Sequence, residues 1–579
     1  MGGPSTGAQS QAIQSPATTA GSGERASGSS VRRRWAALGA YLLAGVVLFA
    51  AYLRLSETYG LNSDSANILL MGWDLLHGNL LLHGWYMSDV SFYPTELPQY
   101  ALLESFLGLH MQTAHVAAAM TYTLVFLLAV LLARTGSSGR AAWIRTLIAA
   151  GIMLAPQIGL GVFALDLSVG HIGTSVPLLL TWLLLDKLPA RWYVPVLAAV
   201  LLAWALVADP IVYVVGVGPL GVVCAVRVLH GLVTGTGHWT ARVAANRFDL
   251  ALGAASVAAT ALAWAANNVI SALGGYTVNR LPFYFTPWGL LHNNLPAAWK
   301  VLQIFGADYA GLHGIWLALA FLHMASVLVV GWALVRVARR FFRVSLVDQV
   351  LAMAIVMNVV LYMLTNAANE AAHEVAVIVP FGAALAARVL VSAVSRGDTP
   401  PETAPAQGGY PPPRTPLTRL AALVAGAGVL AGYTAGFGYE LTRPSQPPAN
   451  YGLASWLYDH HLTYGLGGYW TGSSITVNSG QRVQVRALMQ YTFKPDLWMS
   501  NTGWYNPRLH RANFVILDSK PGNFSHWEPY LLIKRYFGTP ARTYHVGTYT
   551  IMVWHRNLLR DLPTRAPFGV APGQFDSGP

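Results

Sequence analysis

Long apolar runs recur along this chain of 579 residues and limit its fold more than any other feature. A helix that crosses the hydrocarbon core of a bilayer needs about 20 predominantly apolar residues. The stretches that approach this requirement are residues 35–55, 113–133, 143–161, 172–186, 192–208, 211–230, 249–272, 311–335, 346–364, 374–394 and 419–439. The sequence therefore predicts an α-helical polytopic membrane protein with about eleven transmembrane helices.

The composition supports lipid as the solvent for most of the chain. Hydrophobic residues make up 54% of the sequence and charged residues only 10%, whereas soluble domains hold roughly 25% charged residues. The formal net charge of +12 is spread between the apolar runs and forms no single basic patch. It therefore indicates membrane topology, and no nucleic-acid partner is expected.

The distribution of charge predicts the orientation. Cytoplasmic loops carry an excess of Lys and Arg, and one alternating set of loops holds clusters such as Arg32–Arg34, Arg336–Arg343 and Arg396–Arg419. The stretch 56–112 instead holds six acids and neither Lys nor Arg. We therefore expect a multi-pass protein of the plasma (inner) membrane, with a cytoplasmic N-terminus and an extracytoplasmic C-terminal segment.

These signals divide the chain into five predicted regions. They are a disordered cytoplasmic tail (1–31), a transmembrane domain (32–394) with a long first outer loop (56–112), a Pro-rich cytoplasmic linker (395–418), a last transmembrane helix (419–439) and an extracytoplasmic domain (440–579). In the last region SITVNS, RVQVRAL, ANFVILD and TYHVGTYTIMVWHR are predicted as strands, and HWEPYLLIKRYFG is predicted as a helix. The C-terminal region is thus predicted to be a small α/β domain.

The first outer loop is the main candidate for a functional region, since loops of more than about 15 residues usually have a function. Ser65 to His77 and Leu97 to His110 carry apolar residues at helical spacing, which favours helices lying in the membrane interface. They would hold the carboxylates of Asp64 and Asp89 near the headgroups. Asp64 is either a helix N-cap or, with Asp89, a catalytic carboxylate that acts as a general base.

Basic residues on the outer side are scarce, so each is a candidate for binding an anionic phosphate. Arg280 and Lys300 lie in one long segment, and Arg54 ends the first span. Arginine binds phosphate oxygens with a bidentate fork, while lysine acts as a point charge. The alternative is that these side chains only extend to the interface from helix ends.

Further polar residues on the same side are candidate substrate contacts. They are Asp166, His171, Tyr276, Tyr284, His292, Glu370 and His373. Asp166 and His171 either lie at membrane depth, where an ionisable group is functional by default, or occupy a wet loop. Glu370, His373 and Glu374 lack the second histidine of a zinc-protease motif and are expected at the mouth of a cavity.

Several short motifs resemble the GT-C superfamily of membrane glycosyltransferases, including protein mannosyltransferases and aminoarabinose transferases. They are SDSA, LLHGN and YPTELPQY in the first loop, and LASWLYDHHLTYGLGGYW followed by ITVNSGQRVQVRAL after residue 440. The resemblance implies a GT-C-like fold, a polyprenyl-phosphate sugar donor and Asp64 as the catalytic base. Many members carry an acidic pair where Asp64 stands between Ser63 and Ser65. The resemblance therefore leaves a divalent cation such as Mg²⁺ or Mn²⁺ open as a cofactor and assigns no ligands to it. Asp89 or Asp166 could take the place of the missing acid.

The expected function is therefore that of an inverting glycosyltransferase, which moves a sugar from a polyprenyl-phosphate donor to a glycan, lipid or protein acceptor of the cell envelope. A transporter or flippase of lipid-linked precursors is the alternative, although transporters commonly show internal repeats and none is evident here. A non-catalytic envelope-assembly protein is a third hypothesis, because a fold does not dictate a function.

Overall fold

The computed structural model describes residues 23–154, 170–396, 416–519 and 530–562. By its internal packing the chain divides into residues 1–48 and a second unit that begins at Phe49. The first helix, α1 (Gly23–Ser56), passes through this boundary. The tail predicted to be disordered lies outside the described residues up to residue 22, and from Gly23 the chain is helical, since extending an existing helix needs no new nucleus.

Helices account for most of the chain up to residue 440. After α1 they are α2 (Ser63–Leu76), α3 (Leu97–Leu107), α4 (Met111–Arg134), α5 (Gly139–Leu154), α6 (Ser175–Lys187), α7 (Tyr193–Ala208), α8 (Gly218–Thr234), α9 (Trp239–Ala245), α10 (Arg247–Ala272), α11 (Leu295–Gln303), α12 (Gly314–Arg339), α13 (Leu346–Leu364), α14 (Ile378–Arg396) and α15 (Pro416–Glu440). A π-helical turn, Tyr213–Val217, precedes α8.

A helix lies at each stretch predicted to cross the membrane, so the polytopic α-helical architecture is confirmed. Within the described residues, 7 helices are long and apolar enough to span a bilayer. Of the others, α6 and α7 hold 13 and 16 residues. The figure of eleven crossings therefore stays a prediction, as does the Pro-rich linker, most of which lies outside the described residues.

The helix α14 is central to the bundle. It packs against α4, α5, α12 and α13, and 89% of the most apolar 18 residues of the stretch Ala372–Ser392 are buried, against 28% of the most apolar 18 residues of α10. Its small residues, as in the run Gly382–Ala387, allow this close approach, which drives helix association where lipid removes the hydrophobic effect.

A charged network joins three helices near the C-terminal end of α14. The guanidinium of Arg388 lies 2.9 Å from the carboxylate of Asp186, at the end of α6, and it also donates to Asp348 in the first turn of α13. All three side chains are largely buried. Since a buried ion pair that loses one partner leaves an uncompensated charge, this network fixes the relative positions of the three helices.

In the described parts of the chain, the strands lie on one side of the bundle, which we call the domain side. They are β1 (Trp85–Met87), β2 (Thr277–Val278), β3 (Tyr464–Gly467), β4 (Gln484–Ala487), β5 (Ser500–Asn501), β6 (Phe514–Asp518), β7 (Arg542–Val546) and β8 (Tyr549–Val553). β1 pairs in parallel with β2 and antiparallel with β5. This small sheet joins the first loop, the segment after α10 and the C-terminal region.

The C-terminal region forms the predicted small α/β domain. Its sheet has the order β4-β3-β6-β8-β7, in which β3 is parallel to β4 and β6 while β8 is antiparallel to β6 and β7. The helices α16 (Tyr451–Asp459), α17 (Tyr469–Asn478) and α18 (Tyr530–Phe537) accompany it. The α18 helix and the strands β4, β6, β7 and β8 lie where they were predicted.

Two local predictions were wrong. The segment SITVNS forms the second half of α17 and the residue after it, because tertiary packing between α2 and β4 buries the helix from Thr471 to Val477 and overrides the β propensity of its branched residues. The helix α2 is not exposed at the membrane interface as predicted. It packs between α3 and α17, and Ser65 to Gly72 are all buried.

Candidate active site

A cavity of about 800 Å³ opens on the domain side of the bundle. Its walls come from the end of α7, the π-helical turn, α10, α13 and the segments 276–283 and 365–374. Apolar side chains such as Ile211, Val214 and Trp264 line one flank, and amides such as Asn267 and Asn358 lie among them. The volume is that of a site for a sizeable organic ligand.

One end of the cavity is acidic. Asp89, Asp209 and Glu374 line it, together with the imidazole of His171. Burial, followed by the charge of Glu374, raises the pKa of Asp89 to about 6. Because several negatively charged carboxylates lie close together, the site favours a proton, a cation or a cationic transition state between them.

His171 is the centre of this acidic end. Its Nδ1 lies 2.8 Å from Asp209 Oδ2, and its Nε2 lies 3.2 Å from Glu374 Oε2. Thr174 also donates to Asp209 Oδ2, at 2.6 Å. Burial opposes the charged imidazole, but the two carboxylates outweigh it and hold the pKa of His171 well above its usual value.

Glu96 packs beneath the same cluster. Its carboxylate lies against Gly173, where an added Cβ would come within 1.9 Å of Oε1, so a larger residue there would displace the Glu96 side chain. Burial, and secondarily the charge of Asp209, raises the pKa of Glu96 to about 7. Thr95 donates to its other oxygen. Glu96 was predicted only as one acid of the loop, and its contact with Gly173 has no signature in the sequence.

Asp64 lies at the start of α2 and is not the N-cap. Asn62 is the cap, and its side chain accepts a hydrogen bond from the backbone N–H of Asp64 at 3.0 Å. The Asp64 carboxylate is thus free for another partner, and it accepts a 2.7 Å hydrogen bond from the hydroxyl of Tyr469 on α17. Burial raises the pKa of Asp64, while Tyr469 and then the charge of His373 oppose the rise.

The three predicted cations lie in different surroundings. Arg280 lines the cavity, its side chain is exposed, and no partner for its guanidinium is found among the described residues. Lys300 donates to the backbone carbonyls of Ala368 and Glu370 at 3.0 and 2.6 Å. Arg54 donates to the hydroxyl of Ser445 and to the backbone carbonyl of Arg443. Of the three, the structure brings Arg280 to the cavity.

Asn358 is a polar group that sequence reasoning missed. It lies within α13 on the face that also presents Leu361, Tyr362 and Thr365 to the cavity. Only 3% of the residue is exposed, and in the described part of the chain its Nδ2 has no hydrogen-bond partner. A buried amide without a partner costs about 1–3 kcal/mol, so a ligand oxygen is the natural acceptor.

The remaining predicted residues fall into three groups. Tyr276 and Glu370 line the cavity with His171, and His373 lies beside it, 3.5 Å from Glu374. Tyr284 and His292 are exposed and do not line it. Asp166 lies outside the described residues. Asp209 was not among the predicted site residues, although an acid before a proline at a span end was a usable signal.

One group of side chains has the chemistry of a metal site. The imidazoles of His171 and His373 and the carboxylate of Glu374 place ligand atoms within 4.8 Å of one another. Asp209 contacts the other ring nitrogen of His171, as carboxylates do behind histidine ligands of metals. The donor set fits a divalent cation, and two imidazoles favour Mn²⁺ or Zn²⁺ over Mg²⁺.

Comparison with solved structures identifies the class of fold. ArnT from Cupriavidus metallidurans in the apo state superposes with a TM-score of 0.52 at 13% identity, over 92% of this chain and 100% of that chain. The resemblance to GT-C proteins seen in the sequence is thus confirmed for the fold. No family model matches the sequence, and no curated protein matches it.

Two further structures are similar at lower scores. ArnT from the same organism bound to undecaprenyl phosphate gives a TM-score of 0.49 at 12% identity, over 92% of this chain and 99% of that chain. The second is the archaeal oligosaccharyltransferase AglB from Archaeoglobus fulgidus, in complex with an inhibitory peptide and a dolichol-phosphate. It gives a TM-score of 0.45 at 14% identity, over 90% of this chain and 75% of that chain.

Proposed function

We propose that this protein is a glycosyltransferase that moves a sugar from a polyprenyl-phosphate donor to an acceptor of the cell envelope. The observation that carries the proposal is the cavity, which combines the exposed guanidinium of Arg280, an apolar flank and an acidic end on the domain side of the bundle. The fold is shared with ArnT, and ArnT binds undecaprenyl phosphate.

The donor fits the cavity by its chemistry. We assign the phosphate to Arg280, whose planar fork matches phosphate oxygens. The prenyl chain would follow the flank of Ile211, Val214 and Trp264. Asn358 lies six residues before the end of α13, about 9 Å along the axis, so its amide would donate to an oxygen near the junction of phosphate and chain. The sugar would then face the acidic end.

The transfer would be a displacement at the anomeric carbon. A carboxylate takes the proton of the acceptor hydroxyl, the acceptor oxygen bonds to the anomeric carbon, and the bond from that carbon to the phosphate oxygen breaks. The phosphate leaves with the bonding electrons, and Arg280 stabilises its added charge. Attack from the face opposite the phosphate inverts the anomeric configuration, which the configuration of the product would report.

We assign the role of base to Asp64, with Asp89 as the second catalytic carboxylate. Asp64 does not itself line the cavity. One of its carboxylate oxygens accepts the hydrogen bond from Tyr469, which leaves the other for an acceptor hydroxyl. Asp89 lines the cavity and is half-buried. A carboxylate there, among other anions, would stabilise positive charge developing on the sugar ring.

A divalent cation would be held by His171, His373 and Glu374. Bound there, it would supply positive charge to the acidic end and polarise an oxygen ligand. Metal analysis of the purified protein tests this assignment. We expect Mn²⁺ or Zn²⁺ in the parental protein and its loss in His373→Ala, and equal metal content in the two proteins would contradict it.

The orientation follows from the charge of the loops. The acidic loop 56–112 and the C-terminal domain lie on the same side, and the bias of Lys and Arg assigns that side to the exterior of the plasma (inner) membrane. The acceptor would therefore be an envelope glycan, lipid or protein.

A transfer assay tests the proposed function. Purified protein in lipid nanodiscs would be given polyprenyl phosphates that each carry one radiolabelled sugar, with envelope fractions as acceptors. We expect transfer from at least one donor, and a loss of about 100- to 10,000-fold in Asp64→Asn if that carboxylate is the base. Asp459→Asn, an exposed acid in α16, is the matched control.

The outcomes separate the hypotheses. Transfer by the parental protein and the control but not by Asp64→Asn supports the assignment. Transfer at the parental rate by Asp64→Asn would refute Asp64 as the base. A protein that moves the intact labelled lipid across the bilayer without releasing sugar to any acceptor would be a transporter, and the proposed function would then be wrong.

A further inference from the structure

The contact between Asp64 and Tyr469 crosses from the first loop to the C-terminal domain. The two residues are 405 positions apart in the chain, and the tyrosine hydroxyl donates to Asp64 Oδ1 at 2.7 Å. The contact forms between two half-buried side chains. A hydrogen bond to an ionised acceptor is among the stronger kinds in proteins.

The tyrosine hydroxyl is itself held in place. Asn67, one turn after Asp64 on α2, donates from Nδ2 to the hydroxyl oxygen at 3.1 Å. The sulfur of Met499 is a weaker alternative acceptor for the hydroxyl proton, at 3.5 Å. With Asn67 donating to its oxygen, the hydroxyl proton is directed to the carboxylate, which is the better acceptor.

The backbone on both sides is rigid. Tyr469 is the first residue of α17, immediately after β3 and Gly468, in the parallel part of the five-stranded sheet. The α17 helix packs on α2, and the start of α2 is fixed by the Asn62 cap. The carboxylate and the hydroxyl are therefore positioned by regular elements rather than by mobile side chains alone.

From this geometry we propose that Tyr469 is a positioning residue that orients the Asp64 carboxylate for transfer, so that the C-terminal domain completes the active site. The proposal rests on the proposed function. The hydroxyl occupies Oδ1 and leaves Oδ2 for the proton of the acceptor hydroxyl. Without Tyr469 the carboxylate would rotate about its side-chain bonds, and fewer of its orientations would be productive.

The proposal separates catalysis from donor binding. The cavity side chains that would bind the donor, such as Arg280 and Asn358, do not include Tyr469. Its loss should therefore lower kcat and leave the KM for the lipid-linked donor unchanged. A residue that only attached the domain to the bundle would lower thermal stability without this selective effect on kcat.

The test compares Tyr469→Phe with Tyr505→Phe in the full-length protein, using the transfer assay. Tyr505 is a matched control because its buried hydroxyl donates to a backbone carbonyl of the same domain, at 2.6 Å, and does not contact Asp64. We expect kcat to fall about tenfold in Tyr469→Phe, equivalent to one hydrogen bond of about 1.4 kcal/mol, with the donor KM unchanged. We expect Tyr505→Phe to keep the parental kcat.

Asn67→Leu provides a second variant should Tyr469→Phe fail to fold. It keeps Tyr469 but removes the group that directs the hydroxyl, so kcat should fall by a few fold with the donor KM unchanged. Thermal unfolding of Asp64→Asn, Tyr469→Phe and the double variant should give shifts in Tm that do not add, because the two side chains interact.

A parental kcat in the folded variants, or a change in donor KM alone, would overturn the proposal. Additive Tm shifts would overturn it as well. These results differ from a failure of the proposed function, in which the parental protein itself would transfer no sugar.

Discussion

Replacing Arg280 by alanine should weaken binding of the donor without disturbing the fold. Arg280 is exposed, lines the cavity and has no partner among the described residues, so its truncation removes no intramolecular contact that the structure records. A hydrogen bond to a charged group contributes about 1.5–3 kcal/mol. At 1.36 kcal/mol for each factor of ten, the variant should bind polyprenyl phosphate about 10- to 150-fold more weakly.

The conservative variant Arg280→Lys refines this expectation. Lysine retains the charge but loses the bidentate fork, so its affinity should lie between those of the parental protein and Arg280→Ala. Because the guanidinium is exposed to solvent, the difference between parental protein and alanine variant should shrink at high salt.

The assay is the binding of polyprenyl phosphate without sugar to the purified protein in nanodiscs. Arg508→Ala is the control, since Arg508 is an exposed arginine of the C-terminal domain that does not line the cavity and its loss changes the net charge equally. Equal affinity in Arg280→Ala and the parental protein would refute the reasoning. Equal weakening by Arg280→Ala and Arg508→Ala would show a general charge effect and would also refute it.

Three predictions concern stability. In Arg388→Leu the carboxylates of Asp186 and Asp348 lose a buried partner. The free energy of unfolding, measured by thermal denaturation, should therefore fall by about 3–5 kcal/mol. Glu104 is buried and its side chain accepts no hydrogen bond from any described residue, and burial raises its pKa to about 9. Since its folded pKa lies above its unfolded value, stability should fall as pH rises from about 4.5 to about 9, by up to about 1.4 kcal/mol per pH unit. Glu104→Gln should remove that slope, and an unchanged slope would refute the explanation. Gly173→Ala should lower the Tm by displacing the Glu96 carboxylate, and an unchanged Tm would contradict the close contact.

The sequence predicted the bundle well because a lipid solvent imposes a strong local requirement. Every span needs a long apolar run, and a helix lies at each predicted stretch. The first-loop helices were also predicted by their spacing, and the structure places them at Ser63–Leu76 and Leu97–Leu107. The burial of Ser63–Leu76 was not predicted, because it depends partly on a domain that follows hundreds of residues later.

The candidate site was predicted only in part, for a similar physical reason. The scarcity of cations on the outer side singled out Arg280, which lines the cavity, and also Lys300, which instead holds backbone carbonyls at 2.6 and 3.0 Å. Local sequence cannot separate these two cases. The link between Asp64 and Tyr469 joins residues 405 apart, and no pattern of composition or spacing encodes such a pair.

The error at residues 474–479 shows the limit of periodicity. Ile475 and Val477 alternate with polar residues as in a strand, yet the segment is helical because both α2 and β4 pack against it. For a segment buried on several sides, the alternation loses its meaning, since polar and apolar residues alike are inside.

The most direct test of the central claim is a cryo-EM map of the protein in nanodiscs with bound polyprenyl phosphate. We predict phosphate density within hydrogen-bond distance of the Arg280 guanidinium, with the prenyl chain along the flank of Ile211 and Trp264. Phosphate density at another site, or on the side of the bilayer away from the C-terminal domain, would contradict the account.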